Sequence, residues 1–224
     1  IDGRSFAALT GGDFAVTRER LTHLMHGLTV KSHTQGTWDW EVDASLYDYR
    51  KDQKRQNGAG NPLPNALQGG AGTLADGRGT GWSNVAAKGT WRPGGGAGEH
   101  IVDFGLQQDD YKLSYRTSSI VGNWLADDAG ALTNNVAGKT RLRSLYAQDT
   151  WAFAPSWKTV LGLRAEDWQA YDGITAFSAT NALAYASRNE HYLSPKAALS
   201  YQAGPDLVLK ASAGRAVRMP TVGE

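Results

Sequence analysis

Cysteine is absent from the 224 residues, which removes disulfide frameworks, thiolate metal sites and cysteine nucleophiles together. Methionine occurs twice and phenylalanine five times, so two common core-fillers are scarce. The longest apolar runs are a few residues, far short of the ~20 that a membrane-crossing helix needs. Neither sign of charge is in excess: 23 basic groups face 22 acidic ones, a net charge of +1. That balance excludes acidic or basic tails and leaves no electrostatic case for nucleic acid. A secretion signal is lacking as well, and the opening Ile1-Asp2-Gly3-Arg4 is expected to be a cut in a longer chain.

What is abundant is unusual. There are 27 glycines, about 12% of the chain against a norm of roughly 7%. Eight Trp and nine Tyr outnumber Phe, and such amphipathic rings suit a place apolar on one side and wet on the other. The mean hydropathy of −0.45 fits a water-soluble protein, or a β-barrel whose lumen side offsets its membrane face.

Alternation dominates the pattern. Trp38, Trp40, Val42, Ala44 and Leu46 fall on one face of an extended segment, with Asp39, Glu41, Asp43, Ser45 and Tyr47 on the other. Leu161, Leu163 and Ala165 alternate with Gly162, Arg164 and Glu166. Leu193, Pro195, Ala197 and Leu199 alternate with Ser194, Lys196, Ala198 and Ser200, and Leu207, Leu209 and Ala211 with Lys210 and Ser212. Period two means strands with one apolar and one polar face. Eight strands are expected, near 21–33, 37–51, 82–92, 99–116, 139–154, 157–172, 188–202 and 206–217.

Their connections alternate between short (34–36, 93–98, 155–156, 203–205) and long (52–81, 117–138, 173–187). That rhythm describes antiparallel hairpins with tight turns at one rim and large loops at the other. Trp38, Trp40, Trp91, Trp151, Phe153 and Trp157 sit near the short turns, where an interfacial girdle belongs. The fold class read from this is all-β, an antiparallel transmembrane β-barrel section. A soluble glycan-binding β-sandwich also alternates and is the competing reading, as is a self-contained eight-stranded outer-membrane barrel. Arg141 and Arg143 share the parity of Leu145 and Trp151, which weakens the pattern in the strand near 139–154.

Two hairpins carry a resemblance. YAQDTWAFAPSWKTVLGLRAEDW (146–168) resembles the hairpin of TonB-dependent outer-membrane receptors in which an aromatic-Ala-Gln-Asp-x-Trp strand turns into Leu-Gly-x-Arg-x-Glu. LSPKAALSYQAGPDLVLKASAGRAVRMPTVGE (193–224) is similar to the next hairpin of that family, which leads into a Phe-Arg-Ala-Pro-Thr-x-x-Glu box. Here the box reads Val217-Arg218-Met219-Pro220-Thr221-Val222-Gly223-Glu224. The resemblance implies a 22-stranded barrel around an N-terminal plug, in the outer membrane of a Gram-negative bacterium, energised by the TonB complex. At about 28 residues per strand such a barrel needs over ~600 residues, so residues 1–224 are expected to be a partial barrel domain. Plug, signal and closing strands would lie elsewhere.

The function implied is uptake of a scarce small ligand, most commonly a ferric siderophore, with no catalytic step, no cofactor and outer-membrane lipid as the surroundings. Lys54 and Arg55 in the glycine-rich 52–81 connection, with the rings of Trp124 and Tyr171, are the expected ligand contacts at the outer rim. Arg164, Glu166, Lys196 and Lys210 are expected to face the lumen and plug. No metal site is expected: His23 and His26, three apart on a strand, point to opposite faces. His33, His100 and His191 are scattered and read as solvated. Asp109-Asp110 and Asp127-Asp128 lack calcium-loop spacing, and Gly69-Gly70-Ala71-Gly72 lacks the Lys-Ser/Thr of a phosphate loop and reads as mobile.

Overall fold

Ten strands join in one antiparallel sheet in the computed structural model, which describes residues 14–222. They are β1 (Thr17–Lys31), β2 (Trp38–Asn57), β3 (Gly72–Asp76), β4 (Gly81–Trp91) and β5 (His100–Ile120), then β6 (Leu132–Ala154), β7 (Trp157–Ala176), β8 (Ala182–Ala184), β9 (Arg188–Gly204) and β10 (Leu207–Gly214). The eight expected strands are all present. β3 and β4 both lie between β2 and β5, so together they form one wall strand interrupted at 77–80. The ladder is patched there by Gly79 N donating to the Tyr49 carbonyl and Tyr49 N to the Thr80 carbonyl.

Cross-strand partners share a face, so the register shows which residues lie together. Val42, Ala87, Leu106, Leu145, Ala165 and Leu193 are successive partners from β2 to β9. One residue along, Asp43, Ala86, Gln107, Ser144, Glu166 and Tyr192 form a row on the other face. The apolar face is uncovered: Leu145 is 64% exposed and Leu161 52%. A sandwich would bury that face against a second sheet, and all ten strands belong to one sheet. The sandwich reading is therefore wrong. Among the described residues β1 and β10 each pair on one side only, which does not fit a self-closed eight-stranded barrel either.

At the tight-turn end the rings expected to form a girdle stack across strands. Trp38 lies 5.8 Å from Trp91, Trp151 lies 5.4 Å from His100, and Trp157 lies 4.4 Å from Tyr201, between ring centroids. From Trp157 to Ala165 the apolar face covers roughly 26 Å of strand at about 3.3 Å per residue, or ~20 Å of height at a ~40° tilt. Above it the same face turns polar. Arg141 Nε donates to Asp110 Oδ1 at 2.6 Å and Arg143 Nε to Gln108 Oε1 at 2.9 Å. Both arginines stand beyond the apolar band, which explains a parity that seemed anomalous in the sequence.

Strands run further into the long connections than alternation predicts. β2 ends at Asn57, β5 at Ile120 and β7 at Ala176, and β6 begins at Leu132. The connections shrink to 58–71, 121–131 and the short segments flanking β8. Beyond the band both faces are wet, so hydrophobic periodicity fades while backbone pairing continues.

Candidate functional site

The expected rim contacts do not converge. Lys54 and Arg55 sit in β2 rather than in a loop, and as neighbours on a strand they point to opposite faces. Lys54 Nζ is 3.7 Å from Glu19 Oε1. Arg55 Nη1 donates to the carbonyls of Trp124 and Asp127, at 3.1 and 2.7 Å. Trp124 is 1% exposed, packed with Leu74 and Ile120, so its ring offers no face to a ligand. Tyr171 lies along β7 on the face that carries Leu161 and Leu163, with Lys139 Nζ 5.7 Å and the Arg141 guanidinium 5.9 Å from its ring centre.

Connections 58–71 and 121–131 are tied to each other. Trp124 Nε1 donates to the Ala66 carbonyl and Trp124 N to the Gly70 carbonyl, each at 2.8 Å. The Asn61 amide donates to the Gly69 and Ala71 carbonyls, and the Asn57 amide to the Asn61 carbonyl. Gly72 is required by this clasp: a Cβ there would lie 2.5 Å from the Trp124 Cβ and 2.3 Å from the Gln56 carbonyl oxygen. The segment read as mobile is a fixed two-loop knot. Ile120 has the strand parity of Leu106 and Phe104, so the knot packs on the side away from the polar wall.

On the polar wall, Arg164, Glu166, Lys196 and Lys210 all share one face, opposite Leu161, Leu163, Leu199 and Leu209. Arg164 Nε donates to Glu166 Oε1 at 3.0 Å and its Nη2 to Ser144 Oγ at 2.8 Å. Lys88 Nζ lies 3.5 Å from Asp103 Oδ1. The Lys196 stem lies over Gly162, where a Cβ would come within 2.7 Å of its Cε. Lys88, Asp103, Arg164, Glu166, Lys196 and Arg215 surround a cavity of about 460 Å³. Lys210 stands apart, opposite Ser200 on an exposed strand.

Higher on this wall lies a ring cluster that sequence reasoning missed. His23 stacks on Tyr49 with centroids 3.9 Å apart, and Tyr47 meets Tyr49 edge-on at 5.5 Å and lies parallel to Trp82 at 6.1 Å. The His23 ring bonds through Nδ1 to the Tyr47 hydroxyl at 3.0 Å and through Nε2 to Asp52 Oδ2 at 3.1 Å. Beside Trp82, Asp109 accepts from the Asn84 and Gln107 amides at 2.6 and 2.8 Å. His26 faces the other way, opposite Leu46. His100 is not simply solvated, since its Nδ1 lies 2.8 Å from Asp149 Oδ2. The signal for the ring cluster was the run Tyr47-x-Tyr49 on the charged side of β2, but His23 and Trp82 join it only through the register.

A search of curated proteins returned no match. A family match covers residues 3–224, to the family described as TonB dependent receptor-like, beta-barrel. A single antiparallel sheet, apolar on one face, charged on the other and edged by stacked tryptophans at its tight turns, is what that match requires, and the chain belongs to this family of receptors and transporters of the Gram-negative outer membrane.

Proposed function

We propose that the chain is a wall section of a receptor that binds a ferric siderophore and passes it inward with energy from the TonB complex. The observation that carries this reading is the ring cluster of His23, Tyr47, Tyr49 and Trp82 on the charged wall. In a barrel of this kind the polar face lines the lumen, and pre-packed rings there suit the organic face of a metal chelate. Lower on the wall, Arg164, Glu166 and Lys196 meet the plug. No group on the wall is asked to make or break a covalent bond; the work is binding, release and passage.

The test uses the intact receptor on cells. Radio-iron carried by a siderophore should be retained by cells on ice and imported on warming only when the TonB complex is functional. Retention without any TonB-dependent import would overturn the transport half of the proposal, and absence of retention would overturn the ligand.

A further inference from the structure

Among the described residues, the charged groups nearest the ring cluster are carboxylates. Asp52 touches His23, Asp109 lies beside Trp82, and Asp43 and Glu190 share the same wall at neighbouring levels. The basic groups on this face are either lower or already engaged. Lys88 and Arg164 border the cavity beneath with Asp103 and Glu166. Arg188 bonds Glu190 and covers the Trp168 ring at 5.7 Å. Lys54 is held near Glu19, and Arg55 points to the other face of the sheet.

Resting on the siderophore reading above, we propose that the Tyr47–Tyr49–Trp82 platform selects ferric chelates of zero or positive net charge and rejects polyanionic ones. Aromatic faces are the negative poles of their quadrupoles and attract apolar or cationic surfaces. Asp109 takes two amide donors, one on each carboxylate oxygen, which fixes the carboxylate in place beside the rings. A polyanion entering here would shed water against carboxylates and π-faces, and among the described residues the nearest cations, Lys54 and Arg188, already face Glu19 and Glu190. A neutral trihydroxamate meets stacked rings and hydrogen-bond acceptors instead. The rings are braced by one another and by the His23–Tyr47 bond, so little ordering is needed on binding.

The experiment presents the intact receptor with two probes, a neutral ferric trihydroxamate and a triply anionic ferric tricatecholate. Binding is read by radio-iron retention on iced cells and by tryptophan quenching in detergent. The trihydroxamate should bind about tenfold tighter or more. Trp82→Ala and Tyr47→Ala should each weaken it about tenfold at equal surface abundance, while Trp82→Phe and Tyr47→Phe, which keep the stack, should retain it. Asp109→Asn should narrow the preference by admitting the tricatecholate. Tighter binding of the tricatecholate, or unchanged trihydroxamate binding in both alanine variants, would overturn the selection and leave the siderophore reading standing. Failure of both chelates to bind would remove that reading and this one with it.

Discussion

The indole Nε1 of Trp124 donates to the carbonyl of Ala66 at 2.8 Å, a bond between residues 58 apart in the chain that is buried on both sides. It fastens one outer connection to the other, and the Arg55 guanidinium fastens the second of them, 121–131, to β2.

Trp124→Ala should therefore loosen both connections at once. Removing a buried ring of this size costs about 3–5 kcal/mol, concentrated in the knot because the ladder of β2 to β7 does not depend on it. Limited proteolysis of the folded receptor should reveal new cuts within 58–71 and 121–131, with the barrel still inserted. Trp124→Phe, which loses the bond and keeps most of the packing, should open the knot less, by about 1–2 kcal/mol. Identical nicking of wild type and Trp124→Ala would refute the fastening role.

Glycine substitutions separate required from incidental positions. Gly72→Ala drives a methyl group against Trp124 and the Gln56 carbonyl, whereas Gly27 has open space around its Cβ position. Gly72→Ala should reproduce the nicking of Trp124→Ala, and Gly27→Ala should be silent or slightly stabilising. Melting and protease mapping of the pair would decide.

The two faces of the wall predict opposite tolerance. Leu163 lies 48% exposed on the apolar face, opposite Ala147 and Pro195. Arginine there should cost ~2–4 kcal/mol near the membrane midplane, while Lys196→Ala on the other face should scarcely affect insertion. Refolding into lipid vesicles, read by heat-modifiable gel mobility, measures both. Equal losses would mean that the faces had been assigned the wrong way round.

Asp39 organises the first tight turn. It accepts from Ser32 Oγ, Thr34 N, Thr34 Oγ1, Gln35 N and Arg92 Nη1, all between 2.7 and 3.1 Å. Asp39→Ala strands two backbone donors and a guanidinium and should lower the unfolding midpoint. Asp39→Asn, which still accepts on one oxygen, should lose less. Urea unfolding in vesicles would show both, and an Asp39→Ala midpoint equal to wild type would disprove the turn-organising role.

The sequence was most informative where one face is apolar. Leu163 and Lys196 could be assigned to opposite faces because alternation over several residues leaves no second register. It was least informative above the band. Arg141 and Arg143 broke the parity because there the outer face meets water as well. Trp124 read as a rim ring because a tryptophan in a glycine-rich connection gives no hint that another connection will close over it. Tyr47 and Trp82 stand side by side only because β2 and β4 pair antiparallel in one register. His23 joins them because β1 pairs with β2 in the register that sets it opposite Tyr49, and the one-residue shift just beyond it brings Asp52 onto the same face, which periodicity does not announce.

The height of the wall has a kinetic consequence. β6 is 23 residues long, about 76 Å along the strand and ~58 Å upright at a ~40° tilt, more than twice the ~25 Å apolar band. On β5, Tyr111, the partner of Trp82, lies nine positions short of Ile120, roughly 23 Å below the strand's end by the same geometry. In a closed barrel, a small solute leaving that level must diffuse along a corridor of such length before reaching open water, and most excursions return to the rings first. Residence then exceeds what the contact energy alone would give.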